Sequence, residues 1–413
     1  MQTYLVGGAV RDKLLGRPIK DRDWVVVGST TKQMLAHGYQ AVGADFPVFL
    51  HPKTKEEYAL ARIERKISAG YTGFSCDASS GVSLEEDLLR RDLTINAMAM
   101  DDQGNIIDPY NGQQDLKNKL LRHVSAAFVE DPLRVLRVAR FAARYHDLGF
   151  HIAPETLTLM QTIVINNELI TLSAERVWQE TARSLLETHP EVYFKNLRTC
   201  GAMAVWFPEV DRLWESPTPP KSDPEINIGI HTMMVLQQAV KLSDKLSVRF
   251  AALVHHLGRG LTSEEKWPSH PDHEKLGLGL INTLCDRLKT PNDCRELGLM
   301  VSEYHTHVHN AFELKASTVL GMLNRCDVWR KPQRFADFLL TCKADAKSRT
   351  TFKNSEYQNA EYIWQAYEAA AKVDIKAIVD KGYQGKAIKE QTEQQRISVI
   401  HAFKRFYKNI HKK

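Results

Sequence analysis

Thr3-Tyr4-Leu5-Val6-Gly7-Gly8-Ala9-Val10-Arg11-Asp12, then Lys20-Asp21-Arg22-Asp23-Trp24-Val25-Val26-Val27, decide how the first part of the chain folds. Thr3 to Val6 is a short β-rich run, and Ala9 to Leu15 reads as a helix. Gly7 and Gly8 between them let the backbone come close to a phosphate, and the helix start, with Arg11 behind it, favours an anion. Asp23 to Val27 reads as a buried strand. Residues two apart on a strand share a face, so Asp21 and Asp23 are expected to converge on one point. Two hard carboxylates on a rigid element suit Mg²⁺, which takes few protein ligands and otherwise binds water and substrate phosphates. Two such ions about 3.5–4 Å apart would clamp the attacking and leaving oxygens of an in-line phosphoryl displacement.

Outward from this stretch, Thr31 to His37 reads as a helix and Glu57 to Arg62 as a further strand. From about residue 126 strand signals largely disappear and helical periodicity dominates, as in DPLRVLRVARFAARY (131–145) and AERVWQETARSLLETH (174–189). The expected class is α+β: a small mixed-sheet head followed by a long all-α body. The expected domains are a head over 1–125, a helical region over 126–215, a second helical domain over 216–330 and a helical basic tail over 331–413. The loop SPTPPKSDPE (216–225), with four prolines, is the best boundary.

Composition narrows the class. With 43% hydrophobic and 25% charged residues over 413 positions, the chain is neither disordered nor of low complexity. No run approaches the roughly 18 apolar residues of a membrane span, and Arg11, Asp12 and Lys13 interrupt the start where a signal peptide would be apolar. A cytoplasmic protein with no membrane partner is expected. The six cysteines show no metal-type spacing and read as scattered reduced thiols. Net charge is +5, and no acid follows Glu393, whereas Arg396, Lys404, Arg405, Lys408, Lys412 and Lys413 do. Phe403, Phe406 and Tyr407 lie among them, a pattern suited to phosphate contacts and base stacking.

Two further stretches bear on specificity. RRDLTINA (90–97) sets two arginines beside an Asp and an Asn, and EDPLR (130–134) opens a helix with Pro132 at its first position. Arg134, Arg137 and Arg140 then step along one helix surface. Cytosine and adenine both offer an amino donor beside a ring-nitrogen acceptor. An accepting Asp131 and a donating Arg134 serve both bases, whereas uracil and guanine present the opposite polarity. Hydrogen bonds to charged groups contribute about 1.5–3 kcal/mol, so two such contacts discriminate by several hundredfold without a nucleic-acid template.

The glycine turn and DxD strand resemble the DNA polymerase β type of nucleotidyltransferase, in which a third carboxylate often lies on a neighbouring strand; Glu57 occupies that position. LVGGAVRD, DRDWVVVG, EYALARIERK, RRDLTINA and EDPLRVLRVARF together resemble the class II CCA-adding enzymes, tRNA nucleotidyltransferases, over at least residues 3–145. The resemblance implies template-independent addition of C, C and A to tRNA 3′ ends from CTP and ATP, with release of pyrophosphate. It implies that Asp21 and Asp23 hold Mg²⁺ and that Gly8 and Arg11 help bind the triphosphate. Arg91, Arg137 and Arg140 would contact nucleotide phosphate or sugar, Asp92 and Asn96 would shape the sugar side, and Asp131 and Arg134 would read the base.

Residues of about 225–330 resemble the HD phosphohydrolase domain fused to CCA-adding enzymes in many Gram-negative bacteria. His231 and His255 fit its first two positions, but His256 stands where Asp should follow and Arg259 replaces the usual Lys. In EYHTHVHN the place of a late Asp is expected to hold Thr306. An imidazole at 256 still suits Ni²⁺ or Zn²⁺ but lacks the carboxylate's charge. Phosphohydrolase activity is therefore expected to be absent or weakened. The alternatives are a poly(A) polymerase, a phosphohydrolase with an inert head, and a tRNA-binding module.

Overall fold

A computed structural model describes residues 1–42, 48–66, 74–217, 227–349 and 357–410, with backbone alone for 64–66 and 74–76. Most of the proline-rich loop, and Lys412 and Lys413 of the basic tail, lie outside the described residues. The chain forms two compact units, Met1–Trp206 and Phe207–Lys413.

The first unit is built on a seven-stranded mixed sheet. Its strands are β1 (Gln2–Val6), β2 (Asp23–Val27), β3 (Gln40–Val42), β4 (Val48–Leu50), β5 (Glu57–Leu60), β8 (Ala99–Met100) and β9 (Ile106–Ile107), ordered β3-β4-β5-β2-β1-β8-β9. A separate hairpin pairs β6 (Ile63–Lys66) with β7 (Phe74–Asp77). The apolar run of β2 is buried on both faces. Val25 packs with Val6, Leu88 and Ala99, while Val26 packs with Met34, Phe49 and Leu60. That two-sided burial is why the run shows no polar alternation. β2 is parallel to β5 and in register, with Asp23 opposite Glu57 and Trp24 opposite Tyr58, whose rings stack at 5.4 Å. Asp21 lies two residues ahead of the strand, not on it.

Gly7 turns the chain from β1 into the helix Gly8–Leu14 at φ +66°, where a Cβ would lie 2.9 Å from an Arg91 guanidinium nitrogen. Only glycine combines that backbone angle with that close approach. Beyond the sheet the helix Leu133–Arg144 packs against Ala174–Leu185 and Pro190–Thr199.

The second unit is helical. Leu246–Val254 packs against Asn292–His309, and Ile228–Leu242 against Pro332–Ser348. Its last helix, Lys386–Ile410, corrects part of the reading of the basic tail. Phe403 and Tyr407 are not offered for base stacking: both pack on Tyr362, Tyr407 also meets Phe312, and Tyr407 is buried. Lys404 donates to the Leu314 carbonyl at 2.6 Å, and Arg396 stacks on Trp329. Phe406, 63% exposed, remains on the surface with Arg405 and Lys408. A helix anchors through one stripe, so alternate aromatics of the tail serve the core. The five cysteines with described side chains are free and buried. Among the described residues no helix is long and apolar enough to cross a membrane.

Candidate active site

A cavity of about 880 Å³ opens in the first unit. Its lining includes Gly7, Gly8, Arg11, Asp21, Asp23, Arg91, Asp92, Asn96, Asp131, Arg134, Arg137 and Arg140. Every site residue expected from the sequence is therefore on one surface except Glu57, which stands beside Asp23 in the sheet but is exposed and outside the lining. The cleft also contains Lys20, Arg62, Arg144, Arg176, Arg183 and Glu187, which sequence reasoning missed. Arg176, Glu180 and Arg183 do repeat at helical spacing within AERVWQETARSLL, so a polar face toward the cleft was the available signal.

The acid pair behaves as two carboxylates held close. Burial pushes the Asp23 carboxyl up, Arg91 opposes the shift, and the Asp21 charge adds to it. Each of these pressures except Arg91 would be relieved by a cation, so the pair fits a hard divalent ion.

The other wall is a relay of charges. Arg11 donates to Asp12 at 2.9 Å and to the Asn96 side-chain oxygen, and its guanidinium lies over the Tyr145 ring. Asn96 donates to Asp92 at 3.0 Å, Arg137 donates to the second Asp92 oxygen at 2.7 Å, and Arg140 donates to Glu180 at 2.5 Å. Burial alone would raise the Asp92 carboxyl, but Arg137 and the bond from Asn96 hold it well below the usual carboxylate range. The same attraction to Asp92 raises Arg137. Arg91 pairs with Asp87 at 3.2 Å, just after the helix Leu84–Leu89. Rigid, permanently charged guanidiniums anchored by buried acids are preorganised donors for a polyphosphate.

The expected Asp131–Arg134 couple takes a different form. One Asp131 oxygen accepts from the Leu133 amide at 3.1 Å and caps the helix start; the other accepts from Arg176 at 2.8 Å. Arg134 instead donates to the carbonyls of Ala127 and Arg90, at 2.6 and 2.5 Å. Pro132 precedes the first helical residue, Leu133, as the capping residue.

Family models match at three places: a poly A polymerase head domain over residues 3–122, a probable RNA and SrmB-binding site of polymerase A over 149–213, and an HD domain over 228–328. A multifunctional CCA protein of Pseudoalteromonas atlantica is 66% identical over 97% of this chain and 99% of its own. One from Vibrio cholerae is 58% identical over 97% and 100%. The chain belongs to the multifunctional CCA protein family. Solved structures share the fold at lower identity. An apo CCA-adding enzyme matches at TM-score 0.66, with 20% identity over 97% of this chain and 88% of that one. The Thermotoga maritima CCA-adding enzyme complexed with tRNA matches at 0.62, with 19% identity over 97% and 90%.

The HD region of this multifunctional CCA protein family member holds a buried histidine cluster. His231, His256 and Asp345 place ligand atoms within 4.8 Å of one another. Asp345, on Pro332–Ser348, accepts from His231 at 2.9 Å and bonds His309 at 2.6 Å. This overturns the expectation that Thr306 occupies the late acid's place. The acid is Asp345, far along the chain, and Thr306 donates to Glu274 at 2.7 Å. Packing of Ile228–Leu242 on Pro332–Ser348 brings His231 and Asp345 together across 114 residues. Burial would raise Asp345, but Arg349 and its histidine bonds hold it far below its ordinary value. Burial, reinforced by the Arg259 charge, drives His256 far down, so its ring is neutral.

Proposed function

We infer that the protein adds C, C and A to the 3′ ends of tRNA from CTP and ATP, in maturation and repair, and that the cleft of the first unit does the chemistry. The observation that carries this reading is the acid pair Asp21–Asp23 facing an arginine wall in one cavity that also contains Asp131 and Arg134. The 3′ hydroxyl attacks the α-phosphorus, the bond from that phosphorus to the bridging oxygen breaks, and pyrophosphate leaves. Asp21 and Asp23 would hold Mg²⁺, which supplies charge stabilisation at the attacking and leaving oxygens; Glu57 stands beside them as a third carboxylate. Gly7 and Gly8 admit the triphosphate to the backbone, and Arg11, Arg91, Arg137 and Arg140 bind its oxygens. Asp92 and Asn96 hold these cations and shape the sugar side. Asp131 accepts from the base amino group and Arg134 donates to the ring nitrogen, while the bond from Arg176 keeps Asp131 aimed.

A tRNA substrate is consistent with a cytoplasmic protein, and exposed Arg405, Phe406 and Lys408 offer phosphate and stacking contacts. With His256 in place of an acid, the HD region has absent or weakened phosphohydrolase activity, and His256→Asp should raise it.

The test is incorporation on tRNA transcripts lacking CCA, with each nucleotide supplied singly and then CTP with ATP. Two C residues and one A, lost in Asp21→Ala, support the reading. A long A tail on unrelated RNA would replace it with a poly(A) polymerase.

A further inference from the structure

Phe141 lies on the wall of the cleft, and its ring is shared by three of the arginines that the proposed reaction places on the triphosphate. Arg140 lies over the ring at 4.5 Å from its centroid, Arg11 at 5.4 Å and Arg137 at 5.7 Å. One helical turn on, the Tyr145 ring stacks on Phe141 with centroids 6.1 Å apart and planes 2° from parallel. Tyr145 in turn carries Arg11 at 5.2 Å, and Arg17 and Arg144 each at 5.6 Å. Arg11 therefore lies over both rings. Phe141 is 5% exposed and Tyr145 is fully buried, with its hydroxyl donating to Asp12 at 3.2 Å, so packing holds the two rings in place.

Carboxylates alone do not account for this arrangement. Asp12, Asp92 and Glu180 accept from Nε of Arg11, Arg137 and Arg140 respectively, at 2.9, 2.7 and 2.5 Å. A bond at Nε fixes one edge of a guanidinium and leaves its plane free to turn about that edge. An aromatic face attracts the cation through the ring quadrupole and takes none of its N–H donors, and the attraction is strongest where water is excluded. A further acid in place of the ring would bind those donors and compete with a phosphate for them. The ring thus steadies like charges side by side without occupying their N–H groups.

We propose that Phe141 is a positioning residue for nucleotide addition: its ring, backed by Tyr145, is an aromatic strut that fixes the spacing and direction of Arg11, Arg137 and Arg140, so that the three meet one triphosphate together. The inference rests on the reading of the cleft as the site of CTP and ATP. A packing role for Phe141 makes only the volume of the side chain matter. The strut makes the electron density of the ring face matter at nearly constant shape.

The experiment uses the full chain with phenylalanine at position 141 replaced in turn by its mono-, di- and trifluorinated forms, which withdraw charge from the ring face, and with Phe141→Leu and Phe141→Tyr. Equilibrium binding of CTP, inorganic tripolyphosphate and cytidine is read beside kcat and KM for C addition. Affinity for CTP and for tripolyphosphate should fall with each fluorine, by about tenfold over the series, while that for cytidine stays within about twofold. The loss should appear in KM for CTP more than in kcat. Phe141→Leu should lose at least as much as the trifluorinated ring, and Phe141→Tyr, which keeps an electron-rich face, should bind CTP within about threefold of the parent. If Phe141→Leu does not fold, the fluorinated series decides. A series flat in tripolyphosphate affinity, or equal losses for cytidine and tripolyphosphate, would overturn the proposal. A parent that shows the fluorine dependence yet adds no C, C and A would count against the proposed reaction and leave the strut standing.

Discussion

The cleft of Met1–Trp206 and the histidine cluster of Phe207–Lys413 both gather charged and titratable groups, but they solve opposite problems. The cleft is wide and holds guanidiniums whose charge does not depend on pH, with acids such as Asp92 and Glu180 fixing their direction. The cluster is buried, and its imidazoles stay neutral because burial opposes their charged form. Permanent cations suit a site that must receive and release polyphosphates at every cycle. Neutral nitrogens around one carboxylate carry little charge into the interior. The same chain therefore uses hydrogen-bonded charge in its open cleft and desolvated imidazoles in its buried cluster.

The hardest blow to this contrast would come at the acid pair. Asp23→Ala should lower the rate of nucleotide incorporation by about 10³-fold or more, measured in single turnover, with tRNA affinity nearly unchanged. A tenfold loss or less would mean that the cleft does not work through its carboxylates. A smaller effect is expected on selection. Asp131→Ala should reduce the preference for CTP over UTP by about 10²-fold in kcat/KM, from the loss of one charged hydrogen bond and the polarity it enforces. If selectivity survives, base reading belongs elsewhere on the wall.

Acid titration separates the two units by degree. His231, His256 and His305 have folded values below the ordinary one near 6.5, and His273 is brought down to about 4, all chiefly by burial. Below about pH 6.5 the unfolded chain takes up protons that the folded cluster refuses, so stability falls with pH by up to about 1.4 kcal/mol per unit for each such histidine. Asp92 and Asp87 are depressed instead, each by its arginine partners working against burial. Their stabilisation is present above about pH 4 and is lost only as pH falls toward their folded values. Burial also lowers His123 in the first unit, so calorimetry from about pH 7.5 to 5 should show the transition of Phe207–Lys413 falling more steeply than that of Met1–Trp206. Two transitions moving in parallel would erase the distinction. The smallest expected change is at the surface of the last helix: Phe406→Ala should alter stability by no more than about 0.5 kcal/mol in urea unfolding, since Phe406 is 63% exposed. A larger loss would place it in the core with Tyr407.

Local rules carried much of the head. The glycine turn follows from the special backbone of Gly7, and the strands at Asp23–Val27 and Glu57–Leu60 follow from short β-rich runs, the first of them continuously apolar. Glu57 entered through the family resemblance alone, and it is the parallel pairing of β2 with β5 that puts it in register with Asp23. Local rules fail where a side chain's partner is distant. Nothing near Asp131 identifies Arg176 as its ion-pair partner, because the bond exists only once Leu133–Arg144 packs on Ala174–Leu185. Nothing near His231 points to Asp345, and the local candidate, Thr306, was wrong. The tail shows the same limit: composition cannot tell Phe406 from Phe403 and Tyr407, since only docking decides which stripe of a helix meets the core. By itself, then, the amino-acid order determined the α+β class, the acid pair, the arginine steps and the adjacent imidazoles at positions 255 and 256, because each rests on neighbours along the chain. Tertiary structure decided how Asp131 is held, which acid completes the histidine cluster and which aromatics stay at the surface. These depend on helices packed across tens to more than a hundred residues, where separation along the chain carries no distance information.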